Sequence, residues 1–264
     1  MVYVPTLLLC LAALGWYWFV LRPDPVKKMG PGLRPAPTDI DRVEAFADLS
    51  GEEREEVTNL LDLLEVPAET TIIQEDHGDD SLYFLLQGAV TILKYGTVNN
   101  TRISEIQPGE FFGEMAFLTG RRRIASARTV KDCRILRISR SQFPGLTTLA
   151  EGLDEQIRRA LDLHTIYLCS ADTEALRPIA QDGIRRWARS SRVVTAVPNE
   201  QVPVSTGFPW IALTMGRVTL DGHIHEAPDL FRLDPGSSII SQTNSRLCLL
   251  DEAGRHSGSG KRTA

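Results

Sequence analysis

FFGEMAFLTGRRRIASAR, residues 111–128, is the stretch on which the reading of this chain turns. It brings a Gly-Glu pair, a short apolar turn, a returning arginine and a run of small residues into one loop. Gly113 lets the backbone approach a ligand closely, because a side chain there would stand in the way. Glu114 is an acceptor suited to a ribose hydroxyl. Met115–Leu118 can form one helical turn whose unpaired N–H groups point at an anion. Arg123 returns to the same place and can grip a phosphate through two parallel hydrogen bonds. Together these residues describe a place for a sugar and a phosphate. The alternative, an Arg–Glu surface ion pair beside a turn, is the commoner fate of such residues, but it explains neither Gly113 nor the apolar turn.

The order Phe112, Gly113, Glu114, Ala116, then Arg123, Ile124, Ala125, Ser126 resembles the phosphate-binding cassette of the cyclic-nucleotide-binding domain family. Over Arg121–Cys133 it is similar to the cassettes of cyclic-nucleotide-regulated channels, which also carry Arg where kinase regulatory subunits have Pro. The resemblance covers about Asp39–Leu161. It implies a β-roll holding the cassette, Glu114 on the ribose 2′-hydroxyl and Arg123 on the cyclic phosphate. Backbone N–H groups of Ala116 and Ile124 would complete the phosphate shell. Ile92 and Ile106 fall where family members line the base, and as alternating strand apolars they read equally as core. The expected ligand residues are thus Gly113, Glu114, Met115, Ala116, Arg123, Ile124, Ala125, Ser126, Ile92 and Ile106. Ile157, Leu161 and His164, on a helix after the roll, are candidates to cap the base, with His164 read first as an ordinary helix-face histidine. Ile124 departs from the Ala, Ser or Thr usual in the family. Lacking a hydroxyl, it points to cyclic AMP rather than cyclic GMP, and its bulk also crowds the site.

Around this loop the chain divides as follows. Val2–Leu21 carries no charge and is long enough to span a hydrocarbon core, with Trp16, Tyr17, Trp18 and Phe19 at its end and Arg22, Lys27 and Lys28 beyond. The expectation is a single-pass anchor with everything after it on the cytoplasmic side. Residues 22–38, rich in proline, read as an extended spacer. Asp39–Leu49 has helical spacing, and the Ser50/Glu53 capping box predicts a helix running to about Leu64. From Val66 the period changes to that of short strands, as in SLYFLLQG and AVTILKYG, with Gly88 and Pro108-Gly109 as turns. Asp76 stands where the family has Gly and is a residue that tolerates a left-handed turn. DCRILRIS closes the roll, and Gln142–Leu149 and Leu153–Leu163 read as helices. The predicted domain is 39–163.

Residues 164–252 read as a second, degenerate copy. LLQGAVTI (85–92) matches LTMGRVTL (213–220), VPAETTII (66–73) matches VPNEQVPV (197–204), and ISEIQPG (103–109) matches FRLDPG (231–236). Thr173–Arg189 takes the place of the helical lead-in. After Pro235-Gly236 there is no Phe-Gly-Glu and no returning Arg-x-Ala-Ser. Residues 253–264 read as a disordered tail. The predicted fold class is therefore mainly β with flanking helices (α+β), two β-rolls in tandem after one transmembrane helix.

The remaining composition is restrictive rather than suggestive. A formal charge of −5 and a pI near 5.6 give no support to a nucleic-acid partner, and Arg121 and Arg122 read as a solvated basic turn. The four cysteines make no metal or redox spacing and read as buried thiols. His223 and His225 form a weak H-x-H pattern, read as turn residues rather than metal ligands. No Walker loop, nucleophile elbow or kinase signature is present, so a sensor rather than an enzyme is expected, with no cofactor and a protein effector as partner. The competing expectations are a scaffold that binds no nucleotide and, last, a transcription regulator with a helix-turn-helix in Thr173–Arg192.

Overall fold

The computed structural model describes residues 32–95, 100–176, 179, 181–204 and 207–251. No helix among the described residues is long and apolar enough to cross a membrane, which overturns the expected single-pass location. The stretch 2–21 on which that expectation rested, most of the 22–38 spacer and the 253–264 tail lie outside the described residues.

The entry to the first roll is more broken than its periodicity implies. Proline at the first helical position and Asp39, which accepts a hydrogen bond from the Ala36 N–H at 3.0 Å, start a short helix α1 (Pro37–Ile40) across the end of the expected spacer. A 3-10 turn at Glu44–Phe46 follows, so Asp39–Leu49 is not one helix. Ile40, Val43 and Phe46 are nonetheless all buried. The capping box forms as predicted: Ser50 Oγ accepts from Glu53 N at 3.4 Å and Glu53 accepts from Ser50 N at 2.8 Å. The helix it starts, α2 (Gly51–Asn59), stops short of Leu64, because Asp62–Val66 form strand β1 and pair with Cys133–Arg137.

Two sheets make the first roll. One has the order β1, β8 (Cys133–Ile138), β3 (Leu82–Gln87) and β6 (Phe111–Phe112); the other has β2 (Thr71–Ile73), β7 (Ser126–Thr129), β4 (Val90–Tyr95) and β5 (Asn100–Ile106). Helix α3 (Glu114–Thr119) lies between β6 and β7. Asp76 has φ 64°, the left-handed turn expected of it.

The second half repeats this strand order. β9 (Arg192–Ala196), β15 (Ser245–Leu250), β10 (Trp210–Met215) and β13 (Asp229–Arg232) stand as β1, β8, β3 and β6 do. β14 (Ile239–Ser241), β11 (Arg217–Leu220) and β12 (His223–Glu226) stand as β7, β4 and β5, with a bridge from Gln201 to Ile240 in the place of β2. The backbone irregularities coincide as well. The register shifts between Leu85 and Gln87 and again between Leu213 and Met215. Gly88 and Gly216 follow those shifts with φ of 105° and 86°, and Gly109 and Gly236 have 96° and 93°. Glu69 and Asn199 are left-handed and donate to the Thr129 and Ser241 carbonyls. That last equivalence lies one residue away from the Val-Pro on Val-Pro match of the sequences. Between β13 and β14, where the first roll has α3, the chain makes only the turn 233–238.

Three helices join the rolls. α4 (Phe143–Leu149) leads to α5 (Leu153–Asp172), more than two turns longer than the expected Leu153–Leu163, and then to α6 (Gln181–Arg189). Thr173 caps α5 through a hydrogen bond from its hydroxyl to the Cys169 carbonyl rather than starting the next helix. Among the described residues of the segment 173–192 there is α6 alone before β9 and no second helix of a helix-turn-helix. Helix α5 is apolar on two sides because it is packed on two sides. Leu153 and Ile157 enter the core of the first roll, whereas Ile166 joins a cluster with Trp187, Trp210 and Cys248 of the second. Trp187, fully buried, sets its ring edge-on to Trp210 and donates its indole N–H to the Asp251 carbonyl at 2.6 Å.

Candidate functional site

The 111–128 loop forms the short helical turn expected at Met115–Leu118, within α3. The buried strand β6 ends at Gly113, whose φ of 82° turns the chain into α3. The demand for glycine comes from within the loop: a Cβ at Gly113 would lie 2.8 Å from Arg123 Nη1 and 3.0 Å from Ile73 Cδ1. Gly113 thus makes room for Arg123. The guanidinium donates to the Gly113 carbonyl at 2.5 Å, to Asp79 Oδ2 at 3.0 Å and to the Ser81 carbonyl. Arg123 is 3% exposed, and its Nε has no hydrogen-bond partner. A buried donor left unpaired is unusual and costly.

Burial pushes the Asp79 carboxyl up, but the Arg123 guanidinium, helped by hydrogen bonds from Ser81 N–H and the Tyr83 hydroxyl, holds it below the usual carboxylate range. Burial and the same carboxylate push the Tyr83 hydroxyl well above its ordinary value.

Glu114 is 2% exposed and does not pair with Arg123. Its partner is His164 of α5, Nδ1 to Oε1 at 3.0 Å. Burial alone would lower the His164 imidazole, but the Glu114 carboxylate and the hydrogen bond to it, with Glu110 behind, more than offset this and hold it above its ordinary value; Arg185 opposes them.

Glu114 and Arg123 line one cavity of about 70 Å³, together with Ile92, Gly113, Met115, Ala116, Ile124 and Ala125. Two of the expected residues do not. Ser126 is buried elsewhere, its hydroxyl accepting the Glu75 N–H at 3.0 Å to fasten β7 to the neighbouring loop. Ile106 packs in the roll's core beside Val90. Core was one of the two readings its alternation allowed, and Ile103 and Ser104 line the cavity in its stead. Ile92 pairs with Ser104 and Leu93 with Arg102, leaving Ile103 as an extra residue whose bulge re-aims the strand. Of the helical candidates, Ile157 is core, Leu161 is fully buried and does not line the cavity, and His164 does line it. Leu168, one turn further along α5, was not anticipated.

Outside the cavity, Arg121 is exposed as expected but also partnered: it donates to the Ala227 carbonyl at 2.7 Å and pairs with Glu226 of the second roll. Arg122 donates to the Asp76 carbonyl. His223 and His225 lie on β12 rather than in a turn, and His225 hydrogen-bonds Asp229 at 2.7 Å. No group of His, Cys, Asp or Glu among the described residues could hold a metal ion. Cys133 and Cys248 are buried free thiols; Cys169 is half-buried, its thiol pushed by burial up to about 12.

Residues 63–148 match the family model described as the cyclic nucleotide-binding domain. Among curated proteins, a cAMP-dependent protein kinase regulatory subunit of Aspergillus fumigatus is 30% identical over 121 residues, 46% of this chain and 28% of that protein. Patatin-like phospholipase domain-containing protein 6 of Pongo abelii is 36% identical over 78 residues, 29% of this chain and 6% of that protein. The chain thus spans less than a third of the length of either. Among solved structures, the regulatory domain of Toxoplasma gondii PKA with cAMP aligns with a TM-score of 0.39 at 16% identity, covering 85% of this chain and 90% of that one. The family model ends before the second roll; residues 63–148 of the first belong to the cyclic nucleotide-binding domain family.

Proposed function

We propose that this chain is a cyclic-nucleotide-responsive regulatory protein, with cyclic AMP favoured over cyclic GMP, in which the first roll takes the ligand at residues 111–128. Arg123 would take the cyclic phosphate and Glu114 the ribose hydroxyl, against a wall of Ile92, Met115 and Ile124. The second roll is a degenerate copy that has exchanged its cassette for a turn, and movement of α5 carries occupancy of the first roll to the second and to a protein effector.

The observation that carries this reading is the unpaired, buried Nε of Arg123, a residue lining the same cavity as a buried carboxylate. That combination suits an anion joined to a hydroxyl-bearing ring. The cavity is far below the ~300–1,000 Å³ of ordinary ligand pockets. Nucleotide entry therefore requires α5 to withdraw His164 and Leu168, and ligand drives that shift only by binding the withdrawn arrangement more tightly. Calorimetric titration of the full chain with cyclic AMP and cyclic GMP tests the proposal. A charged hydrogen-bond partner is worth about 1.5–3 kcal/mol, so Arg123→Ala should weaken binding by roughly tenfold or more. Equal affinity of the two proteins removes Arg123 from the site.

The small cavity also favours a second reading, a scaffold that binds no nucleotide. Thermal melting at millimolar cyclic AMP separates the two, since a ligand of the native state alone must raise the melting temperature.

A further inference from the structure

We propose that the second roll holds the ligand site of the first one shut through α5, with Arg246 gripping one face of that helix while His164, on the opposite face, occupies the Glu114 carboxylate. This rests on the reading of the first roll as a nucleotide site.

The argument is one of helix geometry. Residues two apart on an α-helix are separated by roughly 200°. Asp162 and His164 therefore face opposite ways, and the two rolls lie on those two sides. Toward the second roll, Arg246 makes hydrogen bonds to Asp162 at 2.9 and 3.0 Å and to Glu155, two turns back along the same face, at 3.1 Å. Thr214 adds a hydroxyl to Asp162 at 2.8 Å, and Arg246 is only 6% exposed. A fork of this kind fixes both the position and the rotation of the helix. Toward the first roll, the rotation so fixed puts His164 against Glu114 at 3.0 Å and Leu168 into the cavity wall. A second tie, Arg121 to Glu226 and the Ala227 carbonyl, joins the cassette itself to the second roll. Ribose binding and the His164 contact cannot coexist in 70 Å³.

The latch is also proton-sensitive. His164 is faced by Glu114 from α3, by Glu110 from the turn before β6 and by Arg185 from α6, with Tyr167 stacked beside it on its own helix. Protonated, it holds the Glu114 carboxylate by charge as well as by hydrogen bond. As pH rises through its raised value the charge is lost, so the latch weakens and nucleotide affinity increases.

The test uses the full chain and measures cyclic AMP affinity between about pH 6 and about pH 9, the span over which a histidine held above its ordinary value titrates. His164→Gln should bind about five- to a hundredfold tighter than wild type, as expected for a coupling of this size, and with a flat pH profile. Asp162→Asn with Arg246→Met, which releases the grip without stranding a buried charge, should also bind tighter. Circular-dichroism melting checks that each variant is folded. If a variant does not fold, the imidazole titration of His164 in wild type and Glu114→Gln decides the latch: an unchanged value refutes the contact. Equal affinities and profiles in all folded variants overturn the inference while leaving the nucleotide site standing. Tightening by His164→Gln alone overturns the part given to the second roll. Absence of saturable binding in wild type and in every variant overturns both.

Discussion

Between β6 and β7 the first roll spends its connection on Gly113, helix α3 and Arg123; between β13 and β14 the second makes only the turn 233–238. On either side of that connection the two share strand order, register shift and left-handed positions. The difference teaches that the roll's backbone does not need the cassette. Scaffold and cassette are separable here, and the scaffold is the part held in common.

The largest expected effect probes where that separation ends. In the first roll the cassette helix has become core: Phe117 is 2% exposed, packs edge-on to Phe143 at 5.0 Å and carries Arg140 over its face. Phe117→Ala should cost about 3–5 kcal/mol, read by denaturant melting. A cost below about 1 kcal/mol would make the cassette a mere insertion in the first roll.

The next effect asks whether the rolls are built alike. A Cβ at Gly88 would lie 2.5 Å from Cys133 Sγ and 2.6 Å from the Asp132 carbonyl; at Gly216 it would lie 2.4 Å from the Asn244 carbonyl. With positive φ as well, alanine at either should cost about 1–3 kcal/mol in strain, and more where backbone must shift. Similar losses support one plan; a tolerated alanine at Gly216 alone would break the equivalence.

Much of this plan was legible in the sequence. Gly88 and Gly216, and the two Pro-Gly turns, mark positions where a side chain is sterically excluded, and such demands are written in single residues. The cassette was legible for the same reason. What was not legible depends on relations between distant segments. Ser126 reads as one of the cassette's ligand residues until Glu75 is seen to claim its hydroxyl. Ile106 and Ile103 exchange places because a bulge breaks the alternation that periodicity assumes. His164 resembles any helix-face histidine until Glu114, fifty residues earlier, is brought to it. The one available hint was that α5 carries apolar residues on two faces, which implies a helix packed on two sides.

Gly109→Ala and Gly236→Ala form a milder pair. Both residues are left-handed, with φ of 96° and 93°, and nothing lies within 4 Å of an added Cβ. Only the backbone term remains, about 1–2 kcal/mol for each. Equal, modest losses sharpen the comparison, since they separate strain from collision at matched positions.

The smallest effect belongs to the first roll alone. Asp79 is held below the ordinary carboxylate range by Arg123, and the turn 233–238 supplies no such arginine to the second roll. The sign follows from that depression. Between the unfolded value, about 3.9, and neutrality, the ionised carboxylate contributes its full share of stability. As pH falls below the unfolded value and through the folded one, protons bind the unfolded chain first and the contribution is lost. Because the Asp79 side chain is 36% exposed, solvent screening limits it to about 1 kcal/mol or less. Asp79→Asn should therefore cost little at neutral pH and flatten the acid limb of the first roll's stability, followed by hydrogen exchange at Tyr83 and Phe84, while leaving exchange in β10 and β15 unchanged. An acid limb identical in the variant would mean that Arg123 is held by the Gly113 and Ser81 carbonyls alone, and that its guanidinium is already free to meet an incoming anion without losing Asp79.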